Sequence, residues 1–245
     1  MVRDNPYCNA RVKYYPNGTQ KITVFNRGVF NPEKWEKGLL FDDNEKTERI
    51  KYDTENPRYD NVKRSKDKVF DIVFMNGQEW DYMVTLTLDK NKIDRYDKLE
   101  VKKRVVDWLK NNSKRKNLKY LIIPEYHKDG AIHFHGFFNT GNLTYIDSGK
   151  LDKSGRKIFN LRDWRFGFSD CVKLDENILA VSRYITKYVT KDNQKIFGKF
   201  YLAGGGVVRD VPCEYAHVCY EDVDGIEYDI PEAHMKVKYC IIGDL

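Results

Sequence analysis

Residues 124–136 read Pro124-Glu125-Tyr126-His127-Lys128-Asp129-Gly130-Ala131-Ile132-His133-Phe134-His135-Gly136. Leu118–Tyr126 and Ile132–Phe138 have the apolar, aromatic content of strands, and Lys128-Asp129-Gly130 between them is a hairpin signal. On a strand, side chains at i and i+2 point the same way, so His133 and His135 stand side by side. Two of the five histidines at that spacing suit one divalent cation, and Glu125 on the preceding strand can add an oxygen. Turn length decides whether it does. A two-residue Asp129-Gly130 turn pairs Glu125 with Phe134 and sends the carboxylate to the opposite face. An odd loop, such as Asp129-Gly130-Ala131 with a left-handed glycine, sets Glu125 opposite His135 and His127 opposite His133. We predict the odd loop, with a bound cation offsetting the cost of gathering polar side chains on one sheet face.

Working outward, Met83-Val84-Thr85-Leu86-Thr87-Leu88 alternates apolar residues with threonine and reads as a strand. Asp97 to Asn112 reads as a helix, with Leu99, Val105, Val106 and Leu109 on one side and Asn111-Asn112 ending it. Asp175 to Lys191 reads as a second helix, followed by strand-like Phe200-Tyr201-Leu202. Val69–Phe74 and Lys21–Phe25 also read as strands. The order strand, helix, strand, strand, helix, strand predicts an α+β fold, a ferredoxin-like or RRM-like antiparallel sheet with helices packed on one face. Three regions follow. Residues 1–68 form an N-terminal extension with a long surface loop over 41–68, residues 69–206 the core, and residues 207–245 an acidic tail. Within the tail, Cys213–Tyr220 and Met235–Ile242 look strand-like and are expected to form an edge hairpin.

The second helix carries Tyr184 and Tyr188 one turn apart. At about 100° per residue, Ile178, Val181, Ile185 and Val189 form its buried stripe. The tyrosines lie to one side of that stripe, and Lys187 and Lys191 continue round the flank. A tyrosine so placed can attack phosphorus, because nearby cations favour the phenolate.

The 245 residues carry 43 Lys+Arg and 37 Asp+Glu, net +6, with 41% hydrophobic and 33% charged residues. Three basic and nine acidic residues fall in 207–245, a balance of −6 that leaves +12 on residues 1–206. A concentrated positive body is the footprint of a protein that handles nucleic acid. No apolar run approaches the roughly 20 residues of a membrane span, and Met1-Val2-Arg3-Asp4-Asn5-Pro6 opens no secretory signal. Five cysteines without a C-x-x-C pair argue against disulfides and a Cys-rich zinc site. Ala203-Gly204-Gly205-Gly206 lacks the Lys-Ser/Thr of a P-loop, so no ATP motor is expected.

Val84-Thr85-Leu86-Thr87-Leu88, His133-Phe134-His135 and Tyr184-x-x-Lys187-Tyr188 resemble motifs I, II and III of HUH endonucleases, the rolling-circle replication initiators. The wording of residues 124–136 looks most like the initiators of microviruses, small single-stranded DNA phages. The resemblance implies an HUH endonuclease fold and a Mg²⁺- or Mn²⁺-dependent nick in single-stranded or hairpin DNA at a replication origin. His133, His135 and Glu125 would hold the metal. Tyr184 would attack and stay joined to the 5′ phosphate, leaving a free 3′-OH. Tyr188 matches the second tyrosine of some members, and Lys187 would neutralise phosphate charge. Thr85, Thr87, Arg183 and Lys191 would contact DNA. The resemblance further implies a host helicase and polymerase as partners, no membrane association, and the cytoplasm of a bacterial host cell. Two alternatives stand beside it: a non-catalytic RRM-like single-stranded nucleic-acid binding module, and an HUH relaxase or transposase.

Overall fold

The structure, a computed structural model, describes residues 7–30, 59–174, 178–189, 195–230 and 234–243. Its strands, in chain order, are β1 (Ala10–Tyr14), β2 (Gln20–Phe25), β3 (Tyr82–Leu88), β4 (Tyr120–Tyr126), β5 (Ile132–Phe138), β6 (Tyr145–Leu151), β7 (Lys157–Leu161), β8 (Gly167–Lys173), β9 (Leu202–Gly204), β10 (Cys213–Ala216), β11 (Ile226–Ile230) and β12 (Met235–Ile242). The helices are α1 (Tyr59–Met75), α2 (Lys98–Lys116) and α3 (Ile178–Ile185). Contacts divide the chain into two compact units, one drawn from Met1–Lys51 with Asp210–Leu245, the other Tyr52–Arg209.

The first unit is a five-stranded antiparallel sheet in the order β10-β1-β2-β12-β11. The acidic segment therefore supplies three strands of a sheet. Its hairpin joins β11 to β12, whereas Cys213–Ala216 pairs with β1 across Ala10↔Ala216 instead of with Met235–Ile242. The apolar residues Val24 of β2 and Val237 of β12 are both fully buried, which ties the two ends of the chain together.

The second unit holds a seven-stranded antiparallel sheet in the order β6-β7-β8-β3-β5-β4-β9. The α+β class with an antiparallel sheet is the expected one. On one side of the sheet, Val84, Leu86, Ile122, Phe134 and Phe138 pack with Val101, Val105, Trp108 and Leu109 of α2. On the other, Leu121, Ile123 and Phe137 pack with Val69, Ile72 and Val73 of α1 and Ile185 of α3. Helices thus cover both sides, not the single face expected. The extra layer comes from Val69–Phe74, which is the end of α1 and not a strand. Val69, Ile72 and Val73 are fully buried at the i, i+3, i+4 spacing of a helix. Phe70 and Phe74, one turn apart, stack at 5.3 Å. α1 also begins inside the stretch read as a surface loop, whose part up to 58 lies outside the described residues.

α2 starts where Asp97 accepts hydrogen bonds from Leu99 N (2.8 Å) and Glu100 N (3.1 Å). It runs one turn past Asn112, whose side chain donates to Trp108 O and so stays within the helix. Asn117 ends it in a left-handed conformation, φ 55°, with its N–H bonded to Asn112 O. Leu99, expected in the buried stripe, is 80% exposed, and Val101 and Trp108 bury in its place. Strands β6 to β8 lie between β5 and α3, where sequence reading found none. β6 is mostly exposed, so it lacks the apolar alternation that marks a half-buried strand.

The centre of this sheet is tight. Pro124 is tolerated in β4 because β9 pairs only with Tyr120–Ile122 and leaves that edge open beyond them. Gly136 of β5 faces Ile122, and a Cβ there would lie 2.0 Å from Leu121 O. Gly136→Ala must push β4 away from β5. It should cost about 1–3 kcal/mol, read as a lowered midpoint in thermal or urea unfolding; an unchanged midpoint would remove this glycine from the fold's constraints.

Candidate metal centre and tyrosine pair

The β4–β5 turn spans residues 127–131, an odd count, with His127 N donating to Ala131 O (2.8 Å) and Gly130 left-handed at φ 83°. The expected parity holds, and the register differs by two residues. Glu125 pairs with His133, and Ile123 with His135. The longer turn is held by Asp129, which accepts from Ala131 N (3.1 Å) and from Arg95 Nη2 (2.8 Å). The backbone hydrogen bond from Ala131 is the leading cause that holds the Asp129 carboxyl below its usual pKa. His127, expected opposite His133, instead projects from the turn with Nδ1 3.1 Å from Asp129 Oδ1.

Even parity between facing positions puts Glu125, His133 and His135 on one face. Their ligand atoms all lie within 4.8 Å of one another. Glu125 Oε2 is 3.1 Å from His135 Nε2 and 3.8 Å from His133 Nε2, and its side chain is only 1% exposed. A carboxylate so deeply placed needs a cationic or hydrogen-bonding partner. The donor set, two imidazoles and one carboxylate, fits a divalent cation and could hold one. Thr85, paired with His135 across β3, brings Oγ1 to 3.2 Å from His135 Nδ1. That contact engages one ring nitrogen and turns the other, Nε2, toward Glu125. Thr87 faces His133 in the next cross-strand pair.

The tyrosines reach this face from α3. The helix ends at Ile185, and Thr186–Val189 form a 3₁₀ turn; residues 175–177 and 190–194, with Lys191 among them, lie outside the described residues. Leu179, Ser182, Ile185 and Val189 are buried, with Ile178 and Val181 packed at the margin. The Tyr188 ring lies flat on the His135 imidazole, centroids 4.0 Å apart at 18°. Its hydroxyl is 2.7 Å from that of Tyr184, which is 41% exposed. Burial first, then the Tyr184 hydroxyl and the negative charge of Glu125, push the Tyr188 phenol well above its ordinary pKa. Lys187 Nζ sits 5.4 Å from the centre of the Tyr184 ring. Arg183 is exposed on the same helix.

A sheet face carrying two histidines and a buried glutamate, flanked by a helix that presents paired tyrosines, defines a metal-site α+β protein with two phenols beside the site. Residues 81–193, which run from β3 through α3 and hold every one of these groups, match the family model of the ORF2-type replication-associated protein. The match supports a rolling-circle replication initiator family and a role in starting replication. No curated protein and no solved structure matches the chain. No helix among the described residues is long and apolar enough to cross a membrane.

If the triad binds a cation, Mn²⁺ at about 100 times its Kd should stabilise the fold by about 2.7 kcal/mol. EDTA should reverse the rise in melting temperature, and Glu125→Gln and His133→Ala should each remove most of it. An equal Mn²⁺ response in both variants would rule the triad out as the site.

Proposed function

We propose that this protein is an HUH-type replication initiator of the microvirus kind, which nicks single-stranded or hairpin DNA at an origin. The observation that carries the reading is the shared hydrogen bond of Tyr184 and Tyr188 directly over the Glu125–His133–His135 face. Glu125, His133 and His135 would hold Mg²⁺ or Mn²⁺, a Lewis acid for the scissile phosphate. Tyr184 is the nucleophile. The Tyr188 phenol, held protonated by its raised pKa, donates to the Tyr184 oxygen, and the Lys187 ammonium over the Tyr184 ring favours the phenolate.

In the step itself the Tyr184 phenol gives its proton to water, and its oxygen forms a bond to phosphorus. The bond from phosphorus to the 3′ oxygen breaks, and that oxygen takes a proton from water. The products are a 5′-phosphotyrosine and a free 3′-OH, with no net change in charge or oxidation state. Rejoining is the reverse attack by a 3′-OH. Thr85 fixes the His135 ring, and Thr87, Arg183 and Lys191 contact the strand. A host polymerase extends the 3′-OH and a host helicase unwinds ahead of it, in the cytoplasm of a bacterial host cell.

The test is a denaturation-resistant adduct between the protein and labelled origin oligonucleotides in Mn²⁺. Wild type should form it, and Tyr184→Phe should not. Tyr188→Phe should slow it about tenfold or more, since a hydrogen bond to a charged group contributes about 1.5–3 kcal/mol. His133→Ala should lose cleavage and keep DNA binding, which rests on phosphate contacts. No adduct from wild type across metals and strands would defeat the proposal. An adduct retained by Tyr184→Phe and lost by Tyr188→Phe would make Tyr188 the nucleophile.

A further inference from the structure

The metal face does not end at the histidines. Glu125 pairs with His133, His133 with Thr87, and Thr87 with Phe168 of β8, so these four residues form one cross-strand row. Two rows further along, Leu121, Phe137 and Met83 are covered by α1 and α3. The row that ends at Phe168 is not. Phe168 is 72% exposed, and no other phenylalanine among the described residues is exposed. With strands about 4.8 Å apart, its backbone lies roughly 10 Å from that of His133. That is within reach of a base whose neighbouring phosphate lies at the triad.

We propose that Phe168 is a stacking platform for a base of single-stranded DNA next to the phosphate held at the Glu125–His133–His135 face. This rests on the nuclease reading and adds a residue that positions its substrate. A phenyl ring on a pleated sheet presents a flat, sequence-tolerant surface, the kind on which unpaired bases stack. Strong positive charge on residues 1–206 supplies the phosphate attraction that brings a strand to the face. A base paired within a duplex cannot lie on such a platform, so Phe168 selects unpaired DNA. Asp170, two residues on and facing Thr85, is exposed beside it and disfavours a second phosphate there, which leaves a base as the group that fits.

Binding is measured by fluorescence anisotropy in EDTA, so that no chemistry is required. The probes are a labelled 15-nucleotide oligothymidylate and a 15-nucleotide abasic strand of the same charge. Phe168→Ala should weaken oligothymidylate binding about tenfold, equivalent to about 1.4 kcal/mol, and leave abasic binding unchanged. Phe168→Trp should bind as wild type or better. Equal affinity of Phe168→Ala and wild type for oligothymidylate would overturn the inference, as would an equal loss on the abasic strand or no binding by wild type. Because the residue is exposed, unchanged melting temperatures are expected in both variants. Failure of wild type to form the covalent adduct, with this base-dependent loss intact, would defeat the nuclease reading and leave the platform standing.

Discussion

The five residues between β4 and β5 set the chemistry of this protein, because they fix which face Glu125 occupies. Side chains alternate along a strand, so one residue more or fewer in the turn would send the carboxylate into the apolar layer with Phe134 and Phe138. Asp129 closes the turn onto Ala131 N and Arg95, and Gly130 takes the left-handed conformation that closure needs. The same strands that bury Phe134 and Phe138 against α2 therefore display His133 and His135 on their reverse. Packing on one side holds the imidazoles rigid on the other, where Thr85 completes the orientation of one of them.

The hairpin, its odd parity, both histidines and Glu125 are legible in the sequence, since period-two alternation and a Gly-containing turn are local signals. The register itself is not. Its two-residue difference depends on Arg95, more than thirty positions away, which bonds to Asp129 and holds the turn open. Val69–Phe74 misleads for a related reason. Six apolar-rich residues fit a buried strand or the end of a helix equally well, and only the neighbours of Val69, Ile72 and Val73 choose between them. Phe168 escapes sequence reading because Gly167-Phe168-Ser169-Asp170 has no apolar period. Its meaning comes from pairing with Thr87, a residue far away in the chain.

The end of α3 bears on which tyrosine does what. Had the α-helix continued, Tyr184 and Tyr188 would sit about 40° apart on one flank. The 3₁₀ turn over Thr186–Val189 winds tighter, roughly 120° per residue, and carries Tyr188 further round than α-helical spacing would. Tyr188 then lies down on His135 while Tyr184 stays half in solvent, and their hydroxyls still meet at 2.7 Å. Two residues of one type acquire opposite environments in this way. The more buried phenol is held neutral, and the exposed one is accessible to a phosphate. A mere repeat of tyrosines at i and i+4 would not have separated them. The change in helix type does, and it makes the pair an unequal one, with a donor at the metal face and an attacking group at its rim.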